Sequence, residues 1–264
     1  MQRIAFTLLG LCLAFALTAR ADEWSKTFNL TGKPDLRVET SDANIQVDTW
    51  DQKTIEARVT TDHDKIGDNG IKITDHQNGD SVELEVRFPH HDFNFQIGRM
   101  HHVNVVIHMP REGRVNLHSS DGSIRLSQFK GDMDIRSSDG SQELDAVDGV
   151  LRAHASDGHI RVAGRFDGLD ISTSDGRIEA RAAAGSTSMA DWNLETGDGS
   201  ITLQLPDNFA ADLSLHTGDG HITLDMPITV EGQLDKKDIR GKLNGGGKLV
   251  TVHTGDGSIR LEKS

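Results

Sequence analysis

Cysteine occurs once, tyrosine not at all and proline only five times in a chain of 264 residues. With Cys12 alone, no internal disulfide can form, so stability has to come from buried apolar surface and backbone pairing. Three tryptophans and no tyrosine leave little for an aromatic sugar-binding groove, and so few prolines do not make a mucin-like stalk. Positive charge is scarce as well: 28 lysines and arginines stand against 41 aspartates and glutamates, a formal charge of −13. A chain that acidic repels nucleic acid and anionic lipid unless its cations gather in one patch. The densest basic stretch, Lys236 to Lys248, is short and glycine-rich, so nucleic acid is excluded as a partner.

Long apolar runs are absent except at the start. Arg3, the apolar stretch Ile4 to Leu17 and the small-x-small "ARA" at Ala19 to Ala21 read as a signal peptide over residues 1–21. Cys12 lies inside the apolar stretch and lacks the context of a lipid anchor. The expected product is exported, whether periplasmic, outer-membrane-associated or secreted, and has no transmembrane helix after cleavage.

What the chain does have is a repeat. "HSSDGSIRL" returns as "RSSDGSQEL", "HASDGHIRV", "STSDGRIEA", "ETGDGSITL", "HTGDGHITL" and "HTGDGSIRL". The aspartates fall at 121, 139, 157, 175, 198, 219 and 256, so the first four are 18 apart. Wider spacing later places insertions at one point of the repeat. Around each pair the residues alternate. Apolar columns run through Val115, Met133, Leu151, Leu169, Trp192, Leu213 and Val250 before it, and through Ile124, Gln142, Ile160, Ile178, Ile201, Ile222 and Ile259 after it. Period-two alternation on both sides of a turn means short half-buried strands, with helix nearly absent.

The pairs Asp121-Gly122, Asp139-Gly140, Asp157-Gly158, Asp175-Gly176, Asp198-Gly199, Asp219-Gly220 and Asp256-Gly257 are therefore expected to be structural turns. Glycine would take a positive φ there, and aspartate would bond the amides beyond it. The inward residue two before each aspartate is Ser119, Ser137, Ala155, Thr173, Thr196, Thr217 or Thr254, mostly a small hydroxyl suited to a tight corner. An earlier copy, Leu36 to Val47, carries Ala43 in place of the glycine. A second glycine corner is expected at Gly131, Gly149, Gly168 and Gly185.

An antiparallel meander and a β-solenoid both accommodate 18 residues per repeat. Identical corners stack on their copies only in the solenoid, and a meander would need an open sheet of unusual width. The expected fold is all-β: a single-domain β-solenoid of ~18-residue coils, right-handed as crossovers are by default. It would span residues 22–264, with a less regular β-rich part at 22–110 capping regular coils at 111–264.

Chemistry is sought next. His118, Ser119 and Asp121 stand close in sequence, but the histidine column also holds arginine, serine and glutamate, so no catalytic site is expected. The repeated carboxylates are committed to turns, which argues against paired-carboxylate glycoside chemistry. The doubled-glycine run of calcium-binding β-rolls is missing. The most singular polar cluster is "FPHHDFNFQIGRMHHV". If residues 82–88 and 103–109 pair as a hairpin, His90, His91, His101 and His102 meet at its mouth, a candidate for zinc, copper or nickel. A solvated hairpin end is the preferred reading, and no metal or other cofactor is expected.

The "TSDGxI" and "TGDGxIxL" copies, "VNVVIHMPREGRVNLHSSDGSIRL", the "LQLP" and "LDMP" strands and "LNGGGK" before a last copy resemble the bacterial putative-adhesin domain family, over roughly Leu36 to Leu261. The resemblance implies a β-solenoid without catalytic residues or cofactor. The expected function is a non-enzymatic adhesin-like or structural module of the cell envelope whose partner is an envelope glycan or protein. The rival expectation is a polysaccharide-active β-helix enzyme.

Overall fold

The computed structural model describes residues 22–62, 64–68, 70–89, 102–187, 189–230 and 235–264. The N-terminal part forms β1 (Asp22–Asn29), β2 (Asp35–Thr40), β3 (Asn44–Trp50), β4 (Thr54–Thr61), β5 (Lys72–Asn78), β6 (Ser81–Arg87) and β7 (Val103–Pro110). The repeats form β8 (Glu112–Ser119), β9 (Ile124–Ser127), β10 (Lys130–Ser137), β11 (Gln142–Ala155), β12 (Ile160–Thr173), β13 (Ile178–Ala182), β14 (Trp192–Thr196), β15 (Ile201–Leu205), β16 (Ala211–Thr217) and β17 (Ile222–Leu224). After them come β18 (Thr229–Val230), β19 (Asp238–Leu243), β20 (Leu249–Thr254) and β21 (Ile259–Lys263). The described residues are thus all-β, without helix, and the strands join in one large open sheet.

Two parallel ladders run through it. One stacks β6, β2, β8, β10, the second halves of β11 and β12, β14, β20 and β16. The other stacks β7, β3, β9, the first halves of β11 and β12, β13, β15, β21 and β17. Each rung gives one strand to each ladder. Val115 pairs with Met133, Met133 with Leu151 and Leu151 with Leu169, so the register steps by 18 residues. Copies pair in parallel, which removes the meander. The apolar columns are buried in one continuous core, apart from Ile222 on the outermost rung, which is partly buried and packs against it. Insertions after β13, β15 and β17 all fall at the corner opposite the Asp-Gly pairs. There Trp192 packs edge-on to Phe166 at 6.2 Å and tilted against Phe209 at 4.8 Å.

Rungs do not stack in chain order. The β2–β3 rung lies between β6–β7 and β8–β9, and the last rung, β20–β21, lies between β14–β15 and β16–β17. Antiparallel strands cover the ends: β5 lies on β6, β4 on β7 with β1 beyond it, and β19 on β16. Residues 22–110 therefore supply two complete rungs as well as caps. The hairpin expected between residues 82–88 and 103–109 does not form. β6 and β7 belong to opposite ladders of one rung, because each must turn an apolar face to the shared core.

The Asp-Gly corners correct a second expectation. None of the seven glycines has a φ in the left-handed region. Glycine is required because backbones stack there. A Cβ on Gly140 would lie 2.1 Å from the Gly122 carbonyl oxygen, on Gly158 2.4 Å from that of Gly140, and on Gly176 2.0 Å from that of Gly158. The same contact links Gly199 to Gly176, Gly257 to Gly199 and Gly220 to Gly257, which retraces the transposed rung order. Ala43 begins this stack, and its carbonyl oxygen is the one that a Cβ on Gly122 would strike. On Ala43's other side the neighbouring rung is β6–β7, whose sequence carries no Asp-Gly pair between its two strands, so the demand for glycine lapses there. Left-handed glycine is found instead at the opposite corner, where Gly131 has φ 140° and Gly149 φ 129°.

Nor does any carboxylate of the seven pairs accept a backbone N–H among the described residues. The aspartates hold the corner through their own amides: Asp139 N–H donates to the Ser120 carbonyl at 3.0 Å, and Asp157 N–H to that of Ser138 at 2.9 Å. The inward hydroxyls behave as expected. Ser119 donates to Ala43 at 2.9 Å, Thr196 to Gly176 at 2.9 Å, Thr254 to Gly199 at 2.7 Å and Thr217 to Gly257 at 2.7 Å, always to the crowded carbonyl oxygen of the next rung.

Two irregularities compensate each other. Ala155 lacks the hydroxyl that would serve Gly140, so Ser137 turns to the Gly140 carbonyl of its own rung at 2.7 Å. Gln142, which interrupts the isoleucine column, donates from Nε2 to Ser137 Oγ at 2.9 Å and to the His154 carbonyl at 2.7 Å. Its Oε1 is buried without a partner. Restoring both columns with Gln142→Ile and Ala155→Ser together is expected to stabilise the fold by about 1–2 kcal/mol. Chemical denaturation of both singles and the double checks this: the double should exceed the sum of the singles, and strict additivity would refute the coupling.

Candidate functional site

The described surface offers ladders rather than a cleft. On the β9–β15 side, Arg125, Glu143, Arg161, Glu179 and Thr202 stand in direct register and continue through Arg260 to Thr223. Alternating charge ties the rungs together. Arg125 Nε donates to Glu143 at 3.3 Å and Arg161 Nε to Glu179 at 2.9 Å. Glu179 also has Arg177 and His159 at 3.8 Å each. Burial works to raise its pKa, and the hydrogen bond from Arg161 with the surrounding cations outweighs that and lowers it. Beside it is a shallow depression of ≈ 250 Å³ lined by Arg161, Glu179, Arg181, Thr202 and Gln204.

On the opposite side, the column through His118, Arg136, His154, Ser172 and Glu195 faces outward. Ser119 faces the core, where its Oγ accepts the Gly122 N–H at 3.1 Å, so Ser119, His118 and Asp121 do not converge. The corner aspartates Asp42, Asp121, Asp139, Asp157, Asp175, Asp198, Asp256 and Asp219 form an exposed stack. Burial of the Asp121 carboxyl, then repulsion by Asp42 and Asp139, raises its pKa. The stack is self-repelling and is held by the backbone beneath it. His90, His91 and His101 lie outside the described residues. His102 is exposed, and its carbonyl accepts the Asp62 N–H at 3.3 Å. Among the described residues, no three His, Cys, Asp or Glu side chains converge as a metal centre.

A tight ion cluster that the sequence did not flag lies at the insertion corner. Arg165 Nη1 and Nη2 donate to Asp167 at 2.6 and 2.8 Å, and Nε donates to Asp148 at 2.8 Å. The hydrogen bond from Arg165 lowers the Asp167 pKa. The folded state thus gains stability above the ordinary carboxylate pKa and loses it as pH falls through the depressed one. Arg165→Met is expected to cost about 1 kcal/mol near neutrality, a value discounted because the three side chains keep about a third of their surface in water. The difference from the unsubstituted chain should shrink as pH falls below the ordinary carboxylate range and through the depressed Asp167 pKa. Denaturation midpoints across pH check this, and a pH-independent deficit would refute it.

No curated protein matches the chain. Among solved structures, a putative cell adhesion protein from Clostridium sporogenes is 14% identical, with 93% of this chain and 100% of that one covered and a TM-score of 0.47. A putative adhesin from Parabacteroides merdae is 12% identical, with 92% and 97% covered and a TM-score of 0.44. A putative lipid binding protein from Parabacteroides distasonis shows the same identity and coverage with a TM-score of 0.42. The family model Toastrack DUF4097 matches residues 35–262, from the first strand of the inserted β2–β3 rung to the end of the last rung, and the chain belongs to that family.

Proposed function

We propose that the chain is an exported, non-enzymatic β-solenoid module of the cell envelope that binds a glycan or protein partner along one flat face. The solenoid would be right-handed with coils of about 18 residues, since a crossover between parallel strands takes that hand. Residues 1–21 would be removed on export. The observation that carries the reading is the in-register outward column from Arg125 to Thr223. A rigid column repeating every ~4.8 Å offers a polymeric partner many weak contacts at once, and their avidity replaces a deep pocket. Membership of a family that spans nearly all the rungs supports a role for the whole face rather than for one residue.

Mature protein is to be incubated with envelope glycans and outer-membrane fractions, and the same with Arg161→Glu. Retention that weakens in the variant is the expected result. No retention on any fraction would overturn the binding role, and release of product from pectin- or alginate-type polymers would overturn the non-enzymatic one.

A further inference from the structure

The parallel pairing of β16 with β20 brings together two histidines that stand 37 residues apart. In the first ladder Glu195, His253, His216 and Asp238 occupy directly opposed positions on β14, β20, β16 and β19. All four face outward. The imidazoles of His216 and His253 are parallel within 5°, with ring centroids 5.3 Å apart. His216 Nδ1 lies 3.3 Å from Asp238 Oδ2. A neutral imidazole that donates Nδ1–H to this carboxylate presents the Nε2 lone pair to solvent, as carboxylate–histidine pairs do at metal sites. No described residue hydrogen-bonds a ring nitrogen of His253.

We propose that His216 and His253 form a two-imidazole site for a divalent d-block cation, zinc or copper, with water completing the coordination and Asp238 orienting His216. Metal–nitrogen bonds of 2.0–2.1 Å at a tetrahedral angle need the two nitrogens about 3.4 Å apart. Neighbouring rungs are about 4.8 Å apart, so tilting the two exposed rings toward each other closes the difference without moving the backbone. Imidazole donors select zinc, copper or nickel over calcium and magnesium, which prefer oxygen. Glu195 and Asp238, at the two ends of the column, add a negative field without being ligands. The bound ion would cross-link β16 to β20, the junction at which chain order is broken, and would stabilise the folded state only.

Full-length mature protein is titrated with Zn²⁺ and Cu²⁺ by calorimetry and melted with and without each ion, with Ca²⁺ as the comparison. One saturable site and a raised melting temperature are expected with Zn²⁺ or Cu²⁺ and not with Ca²⁺. H216Q and H253Q should each weaken binding about 10–100-fold and abolish the thermal shift, and D238N should weaken it about tenfold. A variant with His90, His91, His101 and His102 all changed to Gln should keep the site. Unchanged binding in H216Q and H253Q, or binding lost only in the fourfold variant, overturns the proposal, as does the absence of saturable heat.

Discussion

Ending the chain at Gly247 is expected to unfold the C-terminal rungs rather than trim one from the end. The seventeen residues removed hold β20 and β21, which lie inside the stack. Among the described residues β17 pairs as a strand with β21 alone, and β16 would keep only the antiparallel β19 as a strand partner. Val250, Val252, Ile259 and Leu261 leave an interior in which each is at most 1% exposed. At about 1.5–3 kcal/mol per side chain the loss is about 6–12 kcal/mol, comparable with the whole stability of an ordinary domain. Hydrogen exchange on the truncated protein should show β16 and β19 unprotected, with β8 to β12 retained at a lowered melting temperature. Amides of β16 as protected as in the full chain would mean that β16–β17 re-dock on β14–β15, and would refute the essential interior rung.

Gly176→Ala carries the second large effect. The new Cβ would lie 2.0 Å from the Gly158 carbonyl oxygen and 2.7 Å from Thr173 Oγ1. The obstacle is backbone, fixed by rungs on both sides, so relief requires separating two rungs. A cost of about 3 kcal/mol or more is expected from denaturant midpoints. Gly168→Ala is the contrast. Its nearest neighbours are side-chain atoms at 3.5 Å and beyond, and its φ lies outside the left-handed region. A one-residue irregularity opposite Gly149 and Val150 displaces it from the close stack of the other corner glycines. That substitution should be neutral or slightly stabilising. Equal effects at the two positions would refute the stacking account.

Alternation with a fixed period made much of this legible from residues alone. The columns of Val115 and Ile124, the inward hydroxyls of Ser119 and Thr196, and the insertions at a single corner all followed from it. The reason for glycine did not, because turn chemistry within one copy says nothing of the carbonyl oxygen of the next copy. Rung order was illegible for a related reason. Near-equivalent rungs present near-equivalent edges, so a strand such as β20 fits beside β14 or at the end of the stack alike. Connection lengths and the antiparallel covers β4 and β19 decide between these, and their docking is not written as a motif. His216 and His253, on successive repeats, are neighbours in either order, and it is β19 with Asp238 against His216 that the repeat did not announce.

Placing the first repeat and the last repeat one rung in from each end changes how the molecule bears load. Tension applied at β21 and at β2 does not peel an outer strand, because each is hydrogen-bonded on both sides. It drags an inner rung lengthwise past two neighbours, so the bonds on both edges must yield together instead of one after another. Force–extension records on the chain tethered at β2 and at β21 should therefore show one high initial rupture rather than a staircase of equal small steps. A low, evenly stepped unravelling from the C-terminus would contradict it. The interlaced rungs work as a clasp, and a stack gripped at them gains resistance to pulling without a disulfide.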